Sequence, residues 1–318
     1  MRSRWERLIL IAVVLVFPIM DRNAYHIDVL VTAGLFMILA LGLNVIVGYA
    51  GILNLGYAAL YAVGAYTYAL LNLHAGFPFW PGLACAGVSA ALFAMLLTLP
   101  ALRLSGDYLA IVTLGAGEIV RIALNNFDSW TGGPNGLLGI AHPTLGWGDW
   151  TFNFGVKSAP YYFLILALLA ILVFFLRRLS DSRLGRAWLA LREDELAAVS
   201  MGINPMWAKC SAFAVGGFIA GLAGAIFAAK QGTVSPDSFD FIVSVMVLAM
   251  VVLGGLGNLW GALLGAFALS LLPELLRGFD VYRMLLFGLA MILMMLFRPQ
   301  GILPEMRNVE RRMRNINR

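Results

Sequence analysis

The stretch from Val29 to Leu102 reads VLVTAGLFMILALGLNVIVGYAGILNLGYAALYAVGAYTYALLNLHAGFPFWPGLACAGVSAALFAMLLTLPAL, without one Asp, Glu, Lys or Arg. A helix that crosses a bilayer takes roughly 20 mostly apolar residues, so about three crossings fit into this segment alone. The rest of the chain is similar. Of 318 residues, 61% are hydrophobic and 12% are charged. Soluble domains carry about a quarter charged residues. These charges are too few to clothe a soluble fold, which excludes a soluble enzyme, a disordered chain and a secreted disulfide scaffold. The apolar runs are long and continuous, unlike the short alternating segments of a membrane barrel. The expected fold class is all-α, a polytopic transmembrane helical bundle.

Charge, Pro and Gly divide the runs into about ten spans. They are placed at 8–20, 27–47, 53–73, 81–100, 108–125, 159–176, 210–230, 241–256, 261–276 and 283–297. The first run follows Arg2, Arg4 and Arg7 and has no small-residue cleavage site after it. We therefore read it as a short span that stays in place rather than a signal peptide. The Gly-rich piece from Gly48 to Gly56 reads as a broken or re-entrant segment. The whole chain, 1–318, forms one transmembrane domain.

The net charge of +5 reports orientation here, not affinity for nucleic acid. With the N-terminus in the cytoplasm, the inner segments hold Arg2, Arg4, Arg7, Arg103, Arg177, Arg178, Arg183, Arg186, Arg192, Lys209, Arg298, Arg307, Arg311, Arg312, Arg314 and Arg318. That leaves Arg22, Arg121, Lys157, Lys230, Arg277 and Arg283 for the far side and the interior. Basic residues inside and basic ends agree with an even number of spans and two cytoplasmic termini. An outer loop then covers 127–158, with Trp130, Trp147, Trp150 and the turn cluster Thr131-Gly132-Gly133-Pro134-Asn135-Gly136. An inner loop covers 177–209. Cys85 and Cys210 read as packing residues. His26, His74 and His142 do not cluster at metal-ligand spacing, so no metal is expected.

The inner loop reads as a helix between Leu184 and Met201, with Gly202 after its last turn and Pro205 beyond. Leu184, Leu191 and Ala198 fall on one stripe, near Ala187 and Glu195. Glu193, Asp194 and Glu195, with Arg183, Arg186 and Arg192, suit ion pairs with a cytoplasmic partner. A solvated helix lying on headgroups is the alternative. Glu118 and Arg121 lie in an otherwise apolar run, three apart and able to pair. Ions at that depth commonly face a bundle interior or a wet cavity. The pair therefore reads as a polar lining of a path or a link between helices, against a static pair that holds the bundle. Asn125 and Asn126 extend the polar stripe.

The chain has 34 glycines, many at small-residue spacing: Gly217 and Gly221, then Gly257, Gly261 and Gly265. Tight helix packing is the first reading. Gly51, Asn54, Leu55, Ala58 and Leu60 recur at one offset as Gly255, Asn258, Leu259, Ala262 and Leu264, a faint internal two-fold echo with chance as its competitor. In a repeat, Asn54 and Asn258 take equivalent places near a path. None of Lys157, Lys209 and Lys230 belongs to a phosphate-binding G-x-x-x-x-G-K-[ST] loop. No nucleophile, base or metal constellation is present, so no catalytic residue is expected.

Ala197-Ala198-x-x-x-Gly202 resembles the inner-loop motif of ABC importer permeases. Gly185-Arg186-Ala187 through Arg192-Glu193-Asp194-Glu195 to Met201-Gly202-Ile203 is similar to the LivM-type permease family of branched-chain amino acid importers. Similar too are Gly42-Leu43-Asn44 through Gly48-Tyr49-Ala50-Gly51 to Asn54-Leu55-Gly56, and Gly106-Asp107-Tyr108 through Gly115 with Glu118-Ile119-Val120-Arg121. The run Thr131 to Gly136, Gly254-Gly255-Leu256-Gly257-Asn258-Leu259-Trp260-Gly261 and Arg298-Pro299-Gln300-Gly301-Ile302 complete the set. Their order and spacing carry the resemblance. The Ile-x-Leu-Pro that follows the Gly in many other importer permeases is absent near Ala212, which argues against the sugar, phosphate and metal classes.

The resemblance implies a permease subunit in a bacterial inner membrane, without its own ATPase site. It implies a LivH-like second permease, two cytoplasmic ABC ATPases that hold ATP and Mg, and an extracytoplasmic amino-acid-binding protein. Residues 183–202 then form the ATPase-coupling loop: Arg183, Gly185, Arg186, Arg192, Glu193, Asp194, Glu195, Ala197, Ala198 and Gly202. Asn54, Glu118, Arg121, Asn125 and Asn258 are candidates for the translocation path. The competing readings are an ion-coupled secondary transporter using Glu118, a channel or structural subunit, and a permease of the same family for urea, amides or other amino acids.

Overall fold

A lipid environment offers the backbone no hydrogen-bond partners, so apolar segments satisfy their own N–H and C=O groups as helices. The computed structural model describes residues 23–101, 107–147, 150–155, 157–275, 288, 289, 292, 296 and 301–303. The long helices are α1 (Ala24–Leu43), α2 (Tyr57–Ala75), α3 (Phe79–Ala101), α4 (Asp107–Asn126), α6 (Ser158–Ser180), α9 (Pro205–Gln231), α10 (Phe241–Gly254) and α11 (Leu259–Leu275). Short helices are α5 (Asp128–Thr131), α7 (Arg183–Glu193) and α8 (Glu195–Ser200). Side-chain caps start several of them. The Asn23 side chain accepts from Tyr25 N, Asn204 from Met206 N and Asp240 from Val243 N.

Helix α9 lies at the centre and packs on α3, α2 and α1. Its span is 78% buried, and the span Ala24–Tyr49 is 72% buried. The glycines explain how close the helices come. A methyl at Gly217 would lie 2.6 Å from the Ala94 Cβ and 2.8 Å from the Ala90 carbonyl oxygen. One at Gly216 would lie 2.6 Å from Ile46 Cδ1. Around Gly254, Gly261 and Gly265, α10 and α11 touch backbone to backbone in the same way.

Six helices among the described residues are long and apolar enough to cross a membrane. The bundle is all-α and polytopic, but this count differs from the expectation of about ten. Helix α2 carries Tyr57, Tyr61, Tyr66 and Tyr68, all buried within the protein. The Tyr57 hydroxyl donates to the Gly216 carbonyl and the Tyr68 hydroxyl to that of Ala141. A helix sheltered by its neighbours does not need a purely apolar surface. Helix α11 is short, at 17 residues. The expected span 8–20 and nearly all of 283–297 lie outside the described residues.

At the end of the bundle away from α7, Lys230 Nζ sits 2.8 Å from Asp28 Oδ1, and Ser158 Oγ donates to the same oxygen. This ties α9, α1 and α6 together. The expected outer loop 127–158 holds more than turns. Strand β1 (Leu137–Leu138) pairs antiparallel with β4 (Thr233–Val234), and β2 (Thr144–Trp147) pairs with β3 (Trp150–Asn153). Cys210 is buried, but Cys85 is exposed on the outside of α3, which corrects its reading as a packing residue.

Candidate functional site

The loop between α6 and α9 is built from two helices, not the single one expected over Leu184 to Met201. Asp194 is extended (φ −158°, ψ 112°), ends α7 and caps α8 by accepting from Ala197 N at 3.0 Å. A side chain that competes this well for a backbone N–H breaks a helix rather than continuing it. The expected stripe shifts as well. Leu184 is exposed, and the face of α7 turned inward carries Gly185, Trp188 and Leu191. Trp188 is fully buried, and its Nε1 donates to the Ala208 carbonyl and to Ser211 Oγ, both at 2.9 Å. This indole anchors α7 to the start of α9. An amphipathic reading centred on aliphatic residues overlooked it.

Arg192 points into the bundle, where its Nη1 donates to the Gly48 carbonyl oxygen. Arg186 donates to the Asp181 carbonyl at 2.7 Å, and Glu195 Oε1 meets Lys209 Nζ at 2.7 Å. Ala198 is buried, while Arg183, Glu193, Asp194 and Ala197 are exposed. Gly202 turns the chain with φ +84°, a left-handed value that costs Gly nothing. Leu196 and Met201 stand out from the loop at 82% and 84% exposure. The outward face of α8 is therefore apolar, flanked by charge.

Arg192 reaches one of two helix breaks that meet in the bundle. Helix α1 runs on as a π-helical turn, Asn44–Tyr49, and the chain then leaves helical structure until Tyr57. Gly51 takes φ +69° in this break, as the expected broken segment requires. The second break lies between α10 and α11, with Gly255 and Gly257 at φ +115° and +79°. The two share a local design. Asn54 Oδ1 accepts from Gly56 N just before α2, and Asn258 Oδ1 accepts from Trp260 N at the start of α11. They also touch: Asn44 Oδ1 accepts from Gly257 N at 3.0 Å. Residues 301–303 close over the second break, where Asn258 Nδ2 donates to the Leu303 carbonyl and Ile302 N to that of Leu253. Asn44, a polar residue in an uncharged stretch, was the available signal for this contact.

Glu118 and Arg121 do pair. Arg121 Nε donates to Glu118 Oε1 at 3.0 Å, Nη2 reaches the same oxygen, and Asp237 lies 3.6 Å away. The side chains of Arg121 and Glu118 are 29% and 37% exposed, and their helix is only 17% buried. The pair thus stands at the edge of this chain rather than in its middle. Asn125 Nδ2 donates to the Arg121 carbonyl and extends the polar line. Glu118 borders a small cleft with Leu55, Gly56, Asp240 and Ser244. Leu55 N is held by Thr113 Oγ1 of α4, which brings the first break, next to Asn54, against this edge helix. Asn258 belongs instead to the second break, where its side chain caps the start of α11 and meets Leu303. Among the described residues no group of three or more His, Cys, Asp or Glu side chains is placed to hold a metal.

Long apolar helices, glycine-tight crossings and two facing helix breaks define a multi-pass membrane protein with the architecture of a transport permease. Residues 25–295 match the family described as branched-chain amino acid transport system / permease component, and the chain belongs to that family. The high-affinity branched-chain amino acid transport system permease protein LivM of Escherichia coli K12 is 48% identical over 299 residues, covering 88% of this chain and 70% of that protein. LivM of Salmonella typhimurium LT2 is 47% identical over 316 residues, covering 94% and 74%. The permease protein LivH of Escherichia coli K12 is 26% identical over 298 residues, covering 86% and 93%. No solved structure matches the chain.

Proposed function

We propose that this chain is the permease subunit of an ABC importer that passes leucine, isoleucine and valine across a bacterial inner membrane by alternating access. The substrate class follows the similarity to LivM. The energy comes from two separate cytoplasmic ATPases that hold ATP and Mg, docked on the exposed side of the loop around Arg183, Arg186, Glu193, Glu195, Ala197 and Gly202, while Gly185 packs inward and is not part of that surface. The carrying observation is that Arg192 joins this loop to the broken end of α1. Movement of the loop therefore pulls directly on a membrane span. Coupling requires that ATP favour one permease state over the other.

The second permease is a LivH-like chain. The exposed, polar-striped edge of α4, with Glu118, Arg121 and Asn125, faces it, and the substrate passes along that seam near Asn54. A binding protein delivers the amino acid from outside. The full chain crosses about ten times, with both termini in the cytoplasm. The matched designs around Gly51–Asn54 and Gly255–Asn258 support an internal two-fold relation of its halves. The test is reconstitution of the chain with a LivH-like permease, two ABC ATPases and an amino-acid-binding protein. Leucine uptake is expected to require ATP and both ATPases, and Gly202 or Glu195 substitutions to uncouple hydrolysis from uptake. Leucine uptake driven by an ion gradient without the ATPases overturns the reading.

A further inference from the structure

Asn44 is completely buried and opens the π-helical turn. Its Oδ1 accepts from Gly257 N, which fixes the orientation of the amide. Its Nδ2 is also buried and has no hydrogen-bond partner among the described residues. A buried donor left unsatisfied calls for a reason. π-helical turns inside α-helices are rare and concentrate at functional sites. Four residues on, the Gly48 carbonyl takes the Arg192 guanidinium. A methyl at Gly48 would lie 2.6 Å from Gly257 N, so the two breaks pass each other backbone to backbone at this point. A line of contact thus runs from α7 through Arg192, the Gly48 carbonyl and Asn44 to Gly257 and α11.

We propose that Asn44 is a positioning residue for energy coupling, one that makes the two helix breaks move together by changing its hydrogen bonds between transport states. In the state described, Oδ1 is used and Nδ2 is idle. When the loop draws Arg192 and Gly48 away, the π turn shifts and Nδ2 donates to a backbone carbonyl freed in one of the breaks. An idle donor in one state and a satisfied one in the other supplies the differential interaction that a switch requires. This inference rests on the importer reading.

The experiment measures ATP hydrolysed per leucine taken up, by the full transporter in proteoliposomes. Asn44→Ala, Arg192→Gln, the double variant and a control are compared. The control is Thr98→Ala, a buried hydroxyl on α3 that donates only within its own helix. Hydrolysis and uptake come from the same vesicles, so a shortfall of assembled complex cancels from the ratio. Should Asn44→Ala not assemble, Asn44→Thr and the partly exposed Arg192 carry the comparison. Each single variant is expected to raise the ratio about tenfold, the effect of one lost hydrogen bond of about 1.4 kcal/mol. The double variant is expected to match the larger single effect, because both act in one line, and the control to leave the ratio unchanged. A wild-type ratio in Asn44→Ala, or a double variant equal to the product of the singles, overturns the role of Asn44 alone. A wild-type complex that takes up leucine without ATP overturns the importer reading, and the role of Asn44 with it.

Discussion

Arg192 donates from Nη1 to the carbonyl oxygen of Gly48 at 2.5 Å, across 144 residues of sequence. The cation of a connecting loop is thereby used on the backbone of a broken span. Charged hydrogen bonds of this kind contribute about 1.5–3 kcal/mol. At the break after the π turn, Ile52 N, which an α-helix would aim at this carbonyl, donates instead to the Ile46 carbonyl, and Arg192 takes its place. Sequence pattern, local geometry and the proposed energy coupling meet at this one contact.

Gly51 lies directly beneath Arg192. Its φ is +69°, and an added methyl would sit 2.8 Å from Arg192 Cγ. Gly51→Ala is expected to cost about 1–2 kcal/mol from backbone strain alone, and to displace Arg192 from Gly48. Thermal unfolding of the purified chain in detergent reads the first effect, and leucine uptake reads the second. A variant with unchanged melting and uptake contradicts this account of the break.

Trp188 holds α7 to α9 with two hydrogen bonds and complete burial. Trp188→Ala is expected to destabilise by about 3–5 kcal/mol, the range for emptying a buried aromatic site. Trp188→Phe keeps most of the volume and loses the indole N–H, and is expected to cost about 1–3 kcal/mol. Limited proteolysis between α6 and α9 reports whether the loop has come loose. Equal protease resistance in wild type and Trp188→Ala excludes the anchor.

Glycine substitutions separate crowded from open positions. At Gly221 a methyl would meet the Ala90 Cβ at 2.7 Å, whereas at Gly115 it would meet nothing within 4 Å. Gly221→Leu is expected to destabilise by at least about 1–3 kcal/mol through overpacking. Gly115→Ala is expected to be neutral or to stabilise by up to about 1 kcal/mol, since Ala is the better helix former. The two melting temperatures decide the matter, and a reversed order rules out the glycine-tight crossing of α9 and α3.

Glu118→Gln distinguishes the energy source. The pair with Arg121 is about one-third exposed, so its loss is expected to change stability by no more than about 1 kcal/mol. Uptake by this variant is expected to stay dependent on ATP and indifferent to a protonophore. Loss of all uptake in Glu118→Gln, together with protonophore-sensitive uptake in wild type, would instead identify Glu118 as a coupling carboxylate.

Much of the fold was legible in advance because lipid imposes a simple condition. The spans 27–47, 81–100, 108–125, 159–176 and 210–230 correspond to observed helices, and the break near Gly51 was visible as glycine in an apolar run. The inner loop was legible as helical, with Gly202 at its end. Its division at Asp194 was hidden, because an acidic residue in a charged run reads equally as a helical face or as a cap. The contacts of Trp188 and Asn44 are hidden in the sequence for a related reason. Each looks ordinary until its partner is known, and those partners lie 20 or more residues away. The spacing of Glu118 and Arg121 predicts their pairing, but their place at the edge of the bundle depends on where α4 packs.

The sequence by itself determined that the chain is a membrane-embedded helical bundle and where most of its helices run. Any apolar segment in lipid has to close its own backbone hydrogen bonds, whatever its neighbours are. Only the tertiary structure decided that Arg192 meets Gly48, that Asn44 meets Gly257, and that the two helix breaks face each other. Those contacts join residues far apart in the chain, and they follow from how glycine faces let helices close to backbone distance, a property of pairs of helices rather than of any single segment.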